Sequence, residues 1–259
     1  MVILGDRCDM VDYKRVYTMT NENVASFKQL YNFDMANVLA VLGSGDQYFT
    51  SLLNGASEVS VFDVNYTAWL FFRIKFKAIR VLDYNDFVKL FIYRKFNDID
   101  IYNKMYNHLT YDELNYYVYL ANQVNNNYRY CECFHPNTLL RVNDKERLIP
   151  YIDVDNYYRL KEIISKRKLP KFYLGDFMKL PVKSGYDIIL LSNIYDYVDS
   201  EVNEFREHID RYQAIDVLAR YCFSFNDEDD VFLDNGFVIS TVDGIMNDKN
   251  YVLSLKRGR

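Results

Sequence analysis

The stretch from Asn37 to Asn65, NVLAVLGSGDQYFTSLLNGASEVSVFDVN, constrains the fold more than any other part of the chain. NVLAVLG is a short run of branched apolar residues stopped by glycine, and EVSVFDV alternates before ending on an acid; both read as buried strands. The intervening DQYFTSLLNGA has the length of a helix, with Asp46 as a candidate cap and Gly55 as a stop. YTAWLFFRIKFKAIRVL follows, with Leu70, Ile74, Ala78 and Val81 on one stripe and Arg73, Lys77 and Arg80 on another, an amphipathic helix. Strand, helix, strand, helix in so short a span predicts a right-handed βαβ crossover and a parallel sheet.

The rhythm loosens over 83–168 into helix-like segments, YNDFVKLFIYRKF, YDELNYYVYLANQV and YYRLKEIISKR, around a loop near Pro136. This reads as a helical insertion capping a substrate within a single α/β domain over 1–259. Strands are expected again in KFYLGDF and YDIILLSNIYDYV, then one long helix in EVNEFREHIDRYQAIDVLARYC, and last an antiparallel pair in GFVISTV and NYVLSLKR. The acidic NDEDD at 226–230 is expected as a solvated loop, and His208 as an exposed helix residue.

With 259 residues, half of them apolar, the chain can bury a sizeable core. Its net charge of −5 argues against a nucleic-acid binder that neutralises phosphates. No apolar run reaches membrane-span length, and an acid stands six residues into MVILGDRCDM, so a cytoplasmic protein is expected. Four cysteines make no disulfide framework and are expected as reduced thiols. Cys131, Cys133 and His135 alternate, but no second cysteine pair completes a zinc set, so no metal is expected. The Arg73, Lys77 and Arg80 stripe reads as a solvated face; its alternative is a peripheral contact with anionic lipid.

In an open parallel sheet, ligands bind beyond the carboxyl ends of the strands. Gly43 and Gly45 allow close backbone approach there. Asp63, eighteen residues after Gly45, stands at the next strand end, where a carboxylate can accept both ribose hydroxyls. Tyr48 occupies the place of the third glycine of a dinucleotide fingerprint, which disfavours a pyrophosphate. S-adenosylmethionine has the ribose and adenine without the phosphate. Asp176 suits the adenine amino group, or caps a helix; Asn193 holds the cofactor, or ends its strand. Tyr195 and Asp196 are candidate acid–base groups after the LLSN strand, the alternative being a packed ring and a helix cap.

YTMTNENVASF, LGSGDQYFTSLLNGASEVSVFDVN, FFRIKFKAIRVLDYNDFVKLF and IILLSNIYDYV together resemble the S-adenosylmethionine-binding family that contains the diacylglycerol 3-amino-3-carboxypropyltransferases of betaine-lipid synthesis. The resemblance covers about 17–95 and 172–198. It implies a Rossmann-like, seven-stranded class I methyltransferase sheet and S-adenosylmethionine as cofactor. By position it carries the cofactor role onto Gly43, Ser44, Gly45, Asp46, Gln47, Asp63, Asn65 and Asp176, and brings Glu22 and Asn23 over the methionine end. Val41 and Gln47 depart from ordinary class I methyltransferases, at the acid of the glycine motif and at a third glycine. The expected function is transfer of a methyl or 3-amino-3-carboxypropyl group to a small molecule or lipid; the alternative is a non-catalytic nucleoside-binding or scaffold protein.

Overall fold

The computed structural model describes residues 12–127, 133–135, 147–244 and 248–257. Its framework is a seven-stranded sheet of β1 (Asn37–Val41), β2 (Glu58–Asp63), β3 (Phe172–Leu174), β4 (Ile188–Leu190), β5 (Asp216–Cys222), β6 (Val238–Asp243) and β7 (Lys249–Lys256), in the order β3-β2-β1-β4-β5-β7-β6. The first five strands are parallel, β1 pairing Val38 with Val59 of β2 on one side and with Ile188 of β4 on the other. They follow the doubly wound order 3-2-1-4-5, and the expected antiparallel pair β6 and β7 closes the edge beyond β5. The fold is α/β and Rossmann-like.

Period-two alternation divides the core between the sheet faces. Val38, Ala40, Ile188 and Leu190 point to one face, and Leu39, Ile189 and Leu191 to the other. After the short α1 (Phe27–Leu30), the first face is covered by α2 (Asp46–Leu53), α3 (Tyr66–Val81) and Val154–Ser165, which packs on both α2 and α3. The second is covered by Val202–Asp210, which contributes Phe205 and Ile209. Leu70, Ile74 and Ala78 are buried as their stripe predicts.

Several expectations are corrected. The segment 201–222 is not one helix: the helix ends at Asp210, Gln213 takes a φ of 55°, and DVLARYC forms β5. Pairing with β4 and β7 overrides the helix propensity of Ala219 and Arg220. The basic stripe is only partly solvated: Arg80 is exposed, while Arg73 and Lys77 are half-buried. Arg73 and Lys77 both grip the buried Glu113, at 2.6 and 2.5 Å, and Arg80 donates to the Ile164 carbonyl at 2.9 Å, so all three side chains are engaged within the fold. His208 is buried, with its Nε2 3.0 Å from the Phe177 carbonyl, because it turns with Phe205 and Ile209 toward the sheet. The NDEDD segment folds into helical turns, and its Asp229 is buried against Arg220. Cys133 is disulfide-bonded, since cysteine counts do not reveal which thiols a fold brings together, and Cys222 is a free buried thiol. Residues 1–11, Cys131 and Pro136 lie outside the described residues. No described helix is long and apolar enough to cross a membrane.

Candidate functional site

The chain runs from β1 outward through β2 to β3, then returns to place β4 on the other side of β1. Such a reversal opens a crevice at the carboxyl ends of the two strands. A cavity of about 430 Å³ lies there, lined by Leu42 and Gly43 after β1, Asp63 and Asn65 after β2, Gly175 and Asp176 after β3, and Ser192 and Asn193 after β4.

Seven of the nine residues expected at the cofactor line this cavity: Gly43, Ser44, Gln47, Asp63, Asn65, Asp176 and Asn193. Asp63 braces the glycine turn, its Oδ2 accepting from Gly43 N at 3.0 Å and its Oδ1 from Asn65 N at 2.8 Å. Burial raises its carboxyl above the ordinary value, against the pull of those N–H groups. Asn65 caps α3 by accepting from Thr67 N and donates from Nδ2 to the Arg15 carbonyl at 2.9 Å. Asp176 accepts from Met178 N at 3.0 Å, so its capping role and its place on the cavity coexist.

Gly45 and Asp46 stand behind the wall rather than on it. Gly45, at φ 83°, is itself the N-cap of α2, and an added Cβ would meet Phe72 at 2.6 Å. Asp46 falls within the first turn instead of capping it, and its carboxylate is buried and taken. It accepts from Lys75 Nζ at 3.0 Å, Ser44 Oγ at 2.7 Å, Thr20 N at 2.5 Å and the Tyr151 hydroxyl. Lys75, fully buried, also donates to the carbonyls of Thr18 and Ser44 at 2.7 and 2.8 Å. This knot ties α3, the glycine turn and the segment before the first strand together.

Tyr195 and Asp196 are not brought to the cavity. The helical turn Ile194–Tyr197 swings them outward: Tyr195 packs edge-on against Phe205 and Phe232, and Asp196 pairs with Arg220 at 2.7 Å. Tyr197 faces the cavity instead, and its ring and that of Phe223, 71% and 48% exposed, mark the mouth.

The cover also differs from expectation. Among the described residues of 83–168, only His135 reaches the cavity, because the helices of that segment pack on α2 and along the flank of α3. Residues 15–22 form the cover, with Tyr17 stacked on His135 at 4.1 Å and Val16 bridged to Phe134. Glu22 comes from this cover. It is buried, accepts from Gln47 Nε2 at 3.0 Å and from the Ser192 hydroxyl, and burial pushes its carboxyl up to about 7. Ser192 holds a φ of 58°, a costly conformation for a non-glycine residue, beside this contact. Asn23 is buried but does not line the cavity, its Nδ2 donating to the Asp243 carbonyl at 2.7 Å. Asn21 to Asn23 carry no periodic pattern, and a single glutamate among them gives no sign of burial. Among the described residues, no group of three or more His, Cys, Asp or Glu is placed to hold a metal.

No protein-family model matches this chain, and no curated protein matches it.

Proposed function

We propose that this protein binds S-adenosylmethionine in the cavity at the β1/β4 switch point and transfers a methyl or 3-amino-3-carboxypropyl group from it to a small-molecule or lipid acceptor. The charge balance of the cavity carries this reading. Glu22, Asp63 and Asp176 line it, against Arg15 as the cationic side chain. Three carboxylates repel the phosphates of a dinucleotide and favour a cationic nucleoside. The first turn of α2 already carries an acid, Asp46, which disfavours a pyrophosphate at that helix start. Asp63 keeps oxygen lone pairs for ribose hydroxyls, and Asp176 can accept from an adenine amino group. The seven-stranded sheet with its closing antiparallel pair is compatible with the methyltransferase-like architecture that the sequence resemblance implies.

The cofactor supplies an electrophilic carbon on a sulfonium, and the geometry of approach decides which carbon reacts. An acceptor enters past Tyr197 and Phe223. Since Tyr195 and Asp196 face elsewhere, they are not assigned a part in proton transfer. Incubation with S-adenosylmethionine and a lipid-containing cell extract, with mass spectrometry of the nucleoside formed, tests the reading. S-adenosylhomocysteine marks methyl transfer; methylthioadenosine with an acceptor gaining the aminocarboxypropyl mass marks the other reaction. Binding with neither product leaves a non-catalytic binding protein, and no binding refutes the proposal.

A further inference from the structure

Five acidic side chains are buried among the described residues: Glu22, Asp46, Asp86, Glu113 and Asp229. Four have a cation in contact: Asp46 with Lys75, Asp86 with Lys104, Glu113 with Arg73 and Lys77, and Asp229 with Arg220. Glu22 alone among them has none, and it is the one of the five that lines the cavity. Its partners are the neutral amide of Gln47 and hydroxyl of Ser192. A buried carboxylate without a counter-charge is costly, and a bound cation would supply the charge that Glu22 lacks. A second observation stands beside it. Gln47 gives its Nε2 to Glu22, which leaves its own Oε1 buried with no donor among the described residues.

We infer that Glu22, with Gln47 beside it, is a built ammonium site that takes the α-amino group of the cofactor. This inference rests on the cofactor reading above and adds what the cavity selects. An ammonium offers three N–H donors, and the carboxylate and the free amide oxygen supply acceptors for them. The cavity therefore discriminates by the amino-acid head of the ligand, while Asp63 and Asp176 hold a nucleoside in common with many ligands. Because Glu22 lies on the cover formed by 15–22, the head group also bonds that cover to the glycine turn through Gln47.

Titration calorimetry of the full chain with three probes tests this. S-adenosylmethionine has both ammonium and sulfonium, S-adenosylhomocysteine only the ammonium, and 5′-methylthioadenosine neither. Glu22→Gln is expected to weaken the first two alike, by roughly tenfold to a hundredfold, the range for a lost charge-assisted hydrogen bond. Methylthioadenosine is expected to change less than about threefold. Gln47→Met, which leaves the charge in place, should weaken the same two probes by a smaller factor and again spare methylthioadenosine. Equal loss for all three probes, loss for S-adenosylmethionine alone, or no loss overturns the inference while leaving the cofactor reading intact. A wild-type protein that binds none of the three refutes the cofactor reading, and this inference with it.

Discussion

Replacing Lys75 by Met tests the knot behind the glycine turn. Lys75 is fully buried and makes its three strong bonds with Asp46 at 3.0 Å, the Thr18 carbonyl at 2.7 Å and the Ser44 carbonyl at 2.8 Å. Met fills a similar volume, so little is lost in packing. What is lost is the cation paired with the buried Asp46 carboxylate, together with the donor for two carbonyls. Breaking a buried pair from one side costs about 3–5 kcal/mol, the remaining charge being uncompensated. At roughly 2–4 °C per kcal/mol for a chain of this size class, the melting temperature should fall by about 6–20 °C. Urea unfolding should show a lower midpoint with an unchanged slope. Adding Asp46→Asn to Lys75→Met removes the stranded charge, so the double variant should recover more than about 1 kcal/mol relative to additivity. A loss below about 1 kcal/mol for Lys75→Met, or strict additivity in the double variant, would refute the reasoning.

Glu22 predicts the opposite sign. Its folded-state carboxyl, at about 7 against an ordinary 4.5, binds a proton more tightly than in the unfolded chain. Its contribution to stability is therefore full below about 4.5 and lost as the pH rises through about 7. Asp46, Tyr17, Tyr221 and Cys222 face it electrostatically, and none of them supplies a cation. Glu22→Gln should accordingly stabilise the ligand-free protein by about 1–3 kcal/mol at pH 8 and hardly at all at pH 4, measured by thermal melts across that range. Gly45→Ala should cost about 2–4 kcal/mol, combining a left-handed backbone with a Cβ 2.6 Å from Phe72, whose ring is wedged between Phe49 and Trp69. Gly43→Ala, whose Cβ meets nothing within 4 Å, should fold but obstruct the cavity, which ligand titration would show. Tyr195→Phe and Asp196→Asn should retain cofactor affinity and any turnover, since both side chains point away from the cavity.

The elements legible in the sequence were those whose local pattern agrees with their place in the sheet. The β1–α2–β2–α3 unit, the closing hairpin and the Asp63 strand end all carry apolar periodicity or a terminal glycine or acid. β5 was not legible, because Asp216–Cys222 has neither alternation nor a breaker to separate it from the preceding helix, and only its neighbours make it a strand. Lys75 left a faint mark: it lies one turn from Phe71 and from Ile79, on an apolar stripe where a solvated lysine does not belong. The outward turn of Tyr195 and Asp196 depends on a single helical turn after β4, which rotates them away and brings Tyr197 in. The cover at 15–22 has no periodic signal at all. It is held by bonds to residues far along the chain, such as Thr20 N to Asp46 and Val16 N to the Cys133 carbonyl.

The most direct test of the account is a crystal structure with S-adenosylhomocysteine bound. The account predicts the ribose hydroxyls on the Asp63 carboxylate, the adenine toward Asp176 and the amino group on Glu22, all within the cavity at the ends of β1 and β4. A nucleoside bound elsewhere, or a ligand whose ribose stands away from Asp63, would contradict it.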